Sequence, residues 1–421
     1  GSCQVWYGKH HSRAVSSGEG HMKRLHLVGW LAAAALLAAC GSSGGGAPSY
    51  SGKTIKLAAI LSLTGAGGVY GPSSQDGMKL AVKQINGSGG VNGATIDLSV
   101  EDDQSDKGIS SQKAQTFIQQ NQVLALLGPT LSNSALTVHP LAETLKTPIL
   151  AVSTTGIHIV PDCKNPDPTP CTYVFRDSLG EETAIPTNIK TYADEFHPKT
   201  GVLLVAQDDK FSKDGGTIVQ ANTDKNGIQL LKTIPFNKGD ADLTPYVTQA
   251  VQLRPDVIFI TSLGQIPAQI MSAARKQGWQ GQFLGGNGFN TAAVSKQAGS
   301  YGKGARSGSA WYLGNTFPSN ADFVSAYKAE YNKDPDQFAA QGYTAIKILA
   351  DSARRANLTF GASAIAADRD KLRAAMESVN LPTTPLGPFQ FTSTHDVKQT
   401  VWIIQMDGNG GFTLVKEVRA S

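Results

Sequence analysis

Two consecutive series of short apolar runs, each run followed by a longer amphipathic segment, constrain the fold of this chain most. The first series begins with IKLAAIL at residues 55–61 and ends with TPILAVS at 147–153. The second begins with TGVLLVA at 200–206 and ends with GQFLGG at 281–286. Apolar residues at successive positions are typical of strands buried on both faces, and strands that alternate with helices form parallel sheets. The pattern predicts an α/β protein with two lobes, each a parallel sheet flanked by helices.

The last third of the chain has a different pattern. It is typical of helices over residues 320–331, 338–355 and 364–378, and two strand-like runs, GPFQFT and TVWIIQMD, follow them. About 380 residues follow Cys40. That length is too great for one hydrophobic core and sufficient for two domains.

The N-terminal region has the layout of a secretory signal peptide. Met22, Lys23 and Arg24 give a short basic start, and residues 25–39 form an apolar span. This span of about fifteen residues is shorter than the roughly twenty that a transmembrane helix needs. The segment therefore predicts export rather than a permanent membrane span.

The sequence LAAC that ends at Cys40 matches the bacterial lipobox. It predicts that Cys40 is lipidated and becomes the first residue of the mature chain; the alternative is a buried cysteine at the end of an ordinary helix. We assign residues 22–39 to the signal peptide and residues 40–52, rich in glycine and serine, to a flexible tether. Residues 1–21 precede the start methionine and are assigned to a leader.

The net charge of the chain indicates no partner that would be recognised mainly by its charge, such as nucleic acid. The whole chain carries a net charge of +4, but residues 1–39 contain four of the cations and one of the acids, so the remainder is near +1. Such a balance provides no binding surface for nucleic acid or for an acidic membrane. The sequence therefore predicts contact with the membrane through the lipid anchor only.

Cys163 and Cys171 are the two cysteines that follow Cys40. The interval between them is rich in proline and aspartate, which predicts a loop, and export places this loop in an oxidising environment. We expect a disulfide between Cys163 and Cys171. Metal binding is the alternative, but the chain has no CxxC pair and its histidines are scattered.

Hydroxyl side chains follow two successive strands of the first series. PTLSNSA at 129–135 follows the run VLALLG, and STTG at 153–156 follows TPILAV. Ligands of open parallel sheets bind beyond the carboxyl ends of the strands, where helix N-termini present free N–H groups. Two such clusters offer several neutral donors to a small carboxylate. Ser132 or Asn133 is also expected to cap the helix that follows.

The chain after the tether contains, in order, the motifs IKLAAILSLTGAGGVYGPSSQDGMKLAVKQINGSGGVNG, EDDQSD, LLGPTLSNSA, TPILAVSTTG, YVFRDSLGEE, DADLTPYV and PDVIFITSLG. With these motifs it resembles the leucine/isoleucine/valine-binding protein family of periplasmic solute receptors. The resemblance implies a periplasmic-binding-protein type I fold, in which three hinge crossings join two α/β lobes and the ligand lies in the cleft between them. The crossings are expected near residues 176, 311 and 391. Lobe 1 is then residues 53–176 and 312–391, and lobe 2 is residues 177–311 and 392–421.

By the same resemblance, the two hydroxyl clusters hold the carboxylate of an amino-acid ligand. Ser132 belongs to the first cluster. In the second, Ser153 and Thr154 contribute mainly backbone groups and Thr155 contributes its hydroxyl. Tyr70 matches the aromatic residue of the family at the rim of the cleft.

Phe211 and Leu263 fall where the family usually has tyrosines. Their alternative roles are packing at a helix start for Phe211 and the end of a strand for Leu263. Loss of two phenol hydroxyls makes this side of the pocket more apolar than in the best-known members of the family.

Asn287 stands where the amino-acid binders of the family usually have a glutamate or aspartate for the ligand's ammonium. An amide brings no charge, and a desolvated ammonium without an ionic partner is costly. Three interpretations are open. An acid elsewhere (Asp208, Asp209, Glu181 or Glu182) reaches the ammonium; neutral acceptors hold it weakly; or the ligand is an aliphatic or aromatic carboxylate without an amine.

The sequence lacks the motifs of common enzyme classes. Tyr70 occupies the position at which a dinucleotide-binding fingerprint in GAGGVYG needs a glycine. The chain has no P-loop and no GxSxG elbow between a strand and a helix, and its histidines suggest no nucleophile arrangement. Lys113 occupies the position at which a calcium loop starting at Asp102 needs a glutamate. We therefore predict a binding protein without catalytic residues, cofactor or metal.

Together these features predict an exported, lipid-anchored, monomeric solute-binding protein at the cell membrane, in the periplasm or on the cell surface. It is expected to capture a small hydrophobic amino acid or related carboxylate by hinge closure and to deliver it to an ABC permease. The alternative is a ligand-sensing receptor of the same fold that signals to a regulator instead of supplying transport.

Overall fold

The computed structural model describes residues 48–160, 162 and 171–419, so the predicted signal peptide, Cys40 and Cys163 lie outside the described residues. The first β-sheet comes from the first series of apolar runs. Its strands are β1 (Thr54–Leu61), β2 (Thr95–Asp102), β3 (Ala125–Leu127), β4 (Ile149–Ala151) and β5 (Val174–Arg176). They pair in the order β2-β1-β3-β4-β5, and every pair is parallel.

The second sheet combines the second series with the end of the chain. Its strands are β6 (Thr200–Ala206), β7 (Gln229–Phe236), β8 (Val257–Thr261), β9 (Gln282–Gly285), β10 (Arg306–Ser309), β11 (Val401–Met406) and β12 (Phe412–Val418). The order is β12-β11-β10-β9-β8-β6-β7. The five strands from β6 to β10 pair in parallel, whereas β11 and β12 add an antiparallel edge.

Helices cover both faces of each sheet. The helices are α1 (Gly71–Gly87), α2 (Lys107–Gln115), α3 (Ser132–Thr144), α4 (Glu181–Phe196), α5 (Lys210–Thr223), α6 (Thr244–Gln252), α7 (Ile266–Lys276), α8 (Ala292–Ala298), α9 (Asn320–Tyr331), α10 (Gln337–Arg355) and α11 (Ile365–Glu377). In β1, Leu57 and Ala59 belong to the core shared with α1, α10 and α11, while Ala58 and Ile60 pack with α2 and α3. Alternate residues of a strand point to opposite faces, so a run buried at successive positions needs cover on both sides.

The two sheets share one winding order. Strands β1 to β5 and strands β6 to β10 both run in the spatial order 2-1-3-4-5, with the order reversing between β1 and β3 and between β6 and β8. In open α/β sheets the crevice at such a reversal, beyond the carboxyl ends of the strands, is where ligands bind. The fold therefore directs attention to the loops after these four strands.

The chain passes between the sheets three times: after β5, after β10 and before β11. Helices α10 and α11 pack into the core of the first sheet, although they follow the last strand of the parallel series in the second. This arrangement confirms the predicted fold class. The residue boundaries of the two lobes stay a prediction. None of the helices in the described residues is long and apolar enough to cross a bilayer.

Helix α4 lies between the two series of apolar runs, in a segment to which the sequence analysis assigned no element. Pro186 lies inside this helix, and a proline there removes a backbone donor and crowds the preceding turn, which argues against a helix. Ile185, Ile189 and Ala193 nevertheless form a buried stripe at helical spacing against the second sheet. The burial of this stripe outweighs the local cost of the proline.

Candidate ligand-binding site

A small cavity lies between the two sheets, beyond the carboxyl ends of their strands. Its lining residues are Tyr70, Thr130, Leu131, Ser132, Ser153, Phe211, Leu263, Asn287, Gly288 and Phe338. Six of the eight predicted ligand-binding residues line it: Tyr70, Ser132, Ser153, Phe211, Leu263 and Asn287. Thr154 and Thr155 are buried in the same loop as Ser153 but do not line the cavity. The cavity measures about 10 Å³, which is room for about one water molecule.

The hydroxyl clusters form the wall on the side of the first sheet. Ser132 Oγ accepts a hydrogen bond from Gly156 N at 3.3 Å, and Ser153 Oγ donates to Thr130 O at 2.9 Å. The hydroxyl of Thr154 is buried and has no partner in the described part of the chain. Backbone and hydroxyl donors therefore converge at this edge of the sheet, next to the N-terminus of α3.

The predicted helix capping by Ser132 or Asn133 is wrong. Leu131 is the N-cap of α3, and no side chain caps this helix end. Asn133 instead bridges to α5, because its Oδ1 accepts from Lys210 N at 2.8 Å and its Nδ2 donates to Asp209 Oδ1 at 3.2 Å. These bonds leave the first N–H groups of α3 without a side-chain acceptor, as a site for an anion requires.

Tyr70 connects the two sides of the site. It follows β1 and is the N-cap of α1, and its ring is almost completely buried. Its phenol oxygen donates to Gly288 O at 3.0 Å and accepts from Gly264 N at 2.9 Å. Gly264 and Gly288 follow strands of the second sheet, so the phenol bridges the loops of both sheets.

The opposite wall is apolar. Phe211 in the first turn of α5 and Leu263 after β8 are both buried, and they pack in one cluster with Tyr70, Leu131 and Phe338. The rings of Tyr70 and Phe338 lie 5.0 Å apart. Such a wall suits an aliphatic or aromatic group on a ligand.

The sequence analysis did not identify Phe338. This residue lies in the first turn of α10, where Asp336 caps the helix by accepting from Phe338 N at 3.0 Å and Ala339 N at 3.1 Å. No strand of the parallel series precedes α10 directly, so a search of the loops after strands misses it. The available signal was an aromatic residue two positions after an aspartate that could cap a helix.

Asn287 is held by groups from several elements. Its Nδ2 donates to Ser153 O at 3.4 Å, and its Oδ1 accepts from Gln337 Nε2 at the start of α10. Its backbone N donates to Glu181 Oε1 at 2.7 Å. The amide of Asn287 therefore joins both sides of the site and already has partners at both of its polar atoms.

Glu181 is an acid buried beside the cavity. It is the first residue of α4, and its side chain is inaccessible to solvent. Thr155 Oγ1 donates to its Oε1 at 3.4 Å, while its Oε2 has no hydrogen-bond partner among the described residues. The pKa of Glu181 is raised to about 8. Burial is the main cause and the charge of Glu182 adds to it, while the N–H of Asn287 acts in the opposite direction.

The other three acids considered for the ligand's ammonium have partners. Glu182 accepts from Arg176 Nη2 at 2.8 Å. Asp209 caps α5 by accepting from Ser212 N at 2.9 Å and also pairs with Lys238 at 3.2 Å. Asp208 Oδ1 accepts from Lys238 N at 2.9 Å.

The predicted disulfide and the metal alternative can be addressed in part. Cys171 is disulfide-bonded, and the pairing with Cys163 stays a prediction because Cys163 lies outside the described residues. Within residues 48–160, 162 and 171–419, no group of three or more histidine, cysteine, aspartate or glutamate side chains could hold a metal ion.

Residues 54–411 match the sequence model of the periplasmic binding protein family. Among curated proteins, a leucine-, isoleucine-, valine-, threonine- and alanine-binding protein of Pseudomonas aeruginosa is 24% identical over 369 residues, which is 86% of this chain and 92% of that protein. A solved leucine-binding protein of Thermotoga maritima has a TM-score of 0.77 at 23% identity and covers 87% of this chain and 99% of its own. A solute-binding protein of R. palustris solved with benzoate has a TM-score of 0.77 at 19% identity and covers 87% and 97%.

Proposed function

The chain belongs to the periplasmic binding protein family, and from this premise we propose that it is a lipid-anchored protein that captures a small hydrophobic amino acid, or a related carboxylate, for an ABC importer. Family membership makes it an extracytoplasmic solute-binding protein and not an enzyme, in agreement with the sequence prediction. The anchor at Cys40, the permease partner and the monomeric state belong to the proposal. The relatives named for branched-chain amino acids and for benzoate both support a ligand with a carboxylate.

The observation that carries the proposal is the cavity beyond the strand ends at which the strand order of both sheets reverses. Uncharged donors around Ser132 and Ser153 lie on the side of the first sheet, and the apolar side chains of Phe211 and Leu263 lie on the side of the second. A carboxylate with an apolar group matches this division of the walls.

Capture requires the walls to move. A volume of about 10 Å³ is far below the size of an amino acid, so a ligand enters only if the loops of the two sheets separate. The three chain crossings between the sheets provide the hinge for such a movement. A ligand that contacts both walls only after closure shifts the population towards the closed form.

Thermal-shift screening tests the proposal. We expect L-leucine, L-isoleucine, L-valine, L-phenylalanine or their deaminated counterparts to raise the melting temperature of the purified protein. Binding to the folded state alone stabilises it by about 2.7 kcal/mol at a ligand concentration 100 times Kd. If no compound of either class changes the melting temperature, the proposed function is wrong.

A pair of phenylalanine variants locates the binding site in the same screen. Phe211→Ala should abolish the ligand-induced shift, because Phe211 lines the cavity. Phe196→Ala is the matched control, since Phe196 lies on α4 with 51% of its surface exposed and does not line this cavity. Equal ligand-induced shifts in the two variants would place the ligand elsewhere.

Tyr70→Phe tests the bridge across the site. The substitution keeps the ring but leaves Gly288 O and Gly264 N, both buried, without their phenol partner. We expect ligand affinity to fall by roughly tenfold or more, because an unpaired buried polar group costs about 1–3 kcal/mol in the closed form. Calorimetric titration measures the change. Tyr343→Phe is the control, since that phenol donates to Gln84 on the exposed surface at 2.6 Å; equal affinities in the two variants would contradict a role for the Tyr70 phenol in closure.

A further inference from the structure

Glu181 of α4 is a buried acid next to Asn287, the position at which amino-acid binders of the family usually have an acid. Its carboxyl contacts two predicted site residues, accepting from Asn287 N at 2.7 Å and from Thr155 Oγ1 at 3.4 Å. Its second oxygen is buried and unpartnered within the described part of the chain. A side chain at Gly286 would begin only 2.3 Å from this oxygen, so the glycine leaves the space that the carboxyl occupies.

The other candidate acids do not have this combination. Glu182 pairs with Arg176, Asp209 caps α5, and Asp208 accepts from the backbone of Lys238. Of the four acids, Glu181 is the one with a buried oxygen that lacks a partner. A buried polar atom without a partner is unfavourable, and a ligand donor at this position would satisfy it.

On the basis of the proposed function, we propose that the ligand carries an amine, that Glu181 is the partner of its ammonium, and that binding releases the proton that Glu181 holds in the unliganded protein. An ionised carboxylate in a buried site without a cation is costly, so the unliganded protein keeps the carboxyl neutral. The ammonium of the ligand supplies the missing cation. The carboxyl then ionises, its proton passes to the solvent, and the ligand's amine keeps all of its own protons.

The groups that face Glu181 are consistent with this exchange. Burial and, to a smaller extent, the charge of Glu182 raise the pKa of Glu181 to about 8, while Arg176 acts in the opposite direction. Thr155 and the backbone N–H of Asn287 are neutral donors to the carboxyl. Burial raises the pKa of the Tyr70 phenol, and the charges of Asp209 and Glu181 raise it as well, so this phenol is uncharged at neutral pH. Arg176, the cation that lowers the pKa of Glu181, has two other acids as partners.

The wild-type protein allows a test without any substitution. With a pKa near 8, Glu181 is mostly protonated below that pH and must lose its proton before it can pair with an ammonium, so affinity for an amino acid should rise by about fiftyfold between pH 6 and pH 8. Calorimetry in two buffers of different ionisation enthalpy should show release of most of one proton per ligand at pH 7. The probes are L-leucine, L-isoleucine, L-valine and L-phenylalanine, each paired with its deaminated counterpart: 4-methylvalerate, 3-methylvalerate, isovalerate and 3-phenylpropionate.

A variant pair identifies the residue. Glu181→Gln should weaken binding of the amino acid at least hundredfold at pH 8 and abolish the pH dependence, while the deaminated acid binds about as well as before. Asp194→Asn is the control, because it removes an acid of the same helix that is 56% exposed and pairs with Lys190, and it should keep both the affinity and the proton release. Melting curves of the variants without ligand check that both are folded.

The outcomes separate this inference from the proposed function. If the deaminated acids bind the wild-type protein and the amino acids do not, the inference is wrong and the proposed function stands. The same conclusion follows if amino acids bind with equal affinity at pH 6 and pH 8 and release no proton. If neither class binds, the proposed function itself fails.

Discussion

Replacing Arg176 by alanine should lower the free energy of unfolding by about 3 kcal/mol. The guanidinium is 1% exposed and lies where the chain leaves the first sheet. Its Nε donates to Asp396 Oδ1 at 2.9 Å, and its Nη2 donates to Asp396 Oδ2 at 2.5 Å and to Glu182 Oε1 at 2.8 Å. Removal of the cation leaves two carboxylates beside each other. Because these are 22% and 41% exposed, solvent hydrates part of their charge, and we expect the lower end of the usual range of 3–5 kcal/mol for a broken buried pair.

Urea unfolding of the variant and the wild type measures the difference. Arg354→Ala is the control, because this arginine is 46% exposed and lies 4.0 Å from Asp351, and such a surface pair contributes at most about 1 kcal/mol. Arg176→Lys should give an intermediate loss, since lysine keeps the charge but cannot form the two-pronged contact with Asp396. A loss below 1 kcal/mol in Arg176→Ala would show that the pair contributes little to stability.

The same contacts place Arg176 at the hinge. Asp396 belongs to the chain crossing that precedes β11, and Glu182 belongs to α4. One side chain therefore joins the crossing after β5 to the crossing before β11.

Much of the fold could be predicted because the central parallel strands, β1, β3, β4, β6 and β8, are short and largely apolar runs. Burial on two faces leaves this pattern in the sequence wherever helices cover a sheet on both sides. Helix α4 could not be predicted in the same way, because Pro186 is unfavourable inside a helix. The stripe of Ile185 and Ile189 can be recognised as a packing face only once the second sheet is in place. The run GPFQFT forms isolated bridges through Phe389 and Phe391 and not a strand.

The residues of the candidate site differ in the same way in how far they could be predicted. Tyr70, Ser132, Ser153 and Leu263 lie in or at the end of the segments that connect strands to the next helix, so predicting the strands also predicted that these segments meet at one cavity. Residues brought by helices were harder to place, because their position depends on packing between distant segments. Phe338 reaches the cavity through α10, and Glu181 could be named from the sequence only as one of four acids.

Introducing a methyl group at Gly342 or at Gly77 should destabilise the protein by about 3 kcal/mol. A Cβ at Gly77 of α1 would lie 2.0 Å from Ala339 O, and a Cβ at Gly342 of α10 would lie 2.3 Å from Ser74 O. Both obstacles are backbone oxygens, which cannot rotate away as the end of a flexible side chain can. The two helices must therefore separate to accept either alanine, and the core that α10 shares with the first sheet loses part of its packing.

The separation should also weaken ligand binding, because α10 begins with Gln337 and Phe338 at the cavity. Thermal unfolding measures the stability of Gly77→Ala and Gly342→Ala, and titration at a temperature where both are folded measures affinity. Gly87→Ala is the matched control on α1, since a Cβ there meets nothing within 4 Å and alanine favours the helix. We expect this control to unfold and bind as the wild type does. If Gly342→Ala behaved like the control, α10 would not be held against α1 by direct backbone contact, and its first turn would need another means of reaching the site.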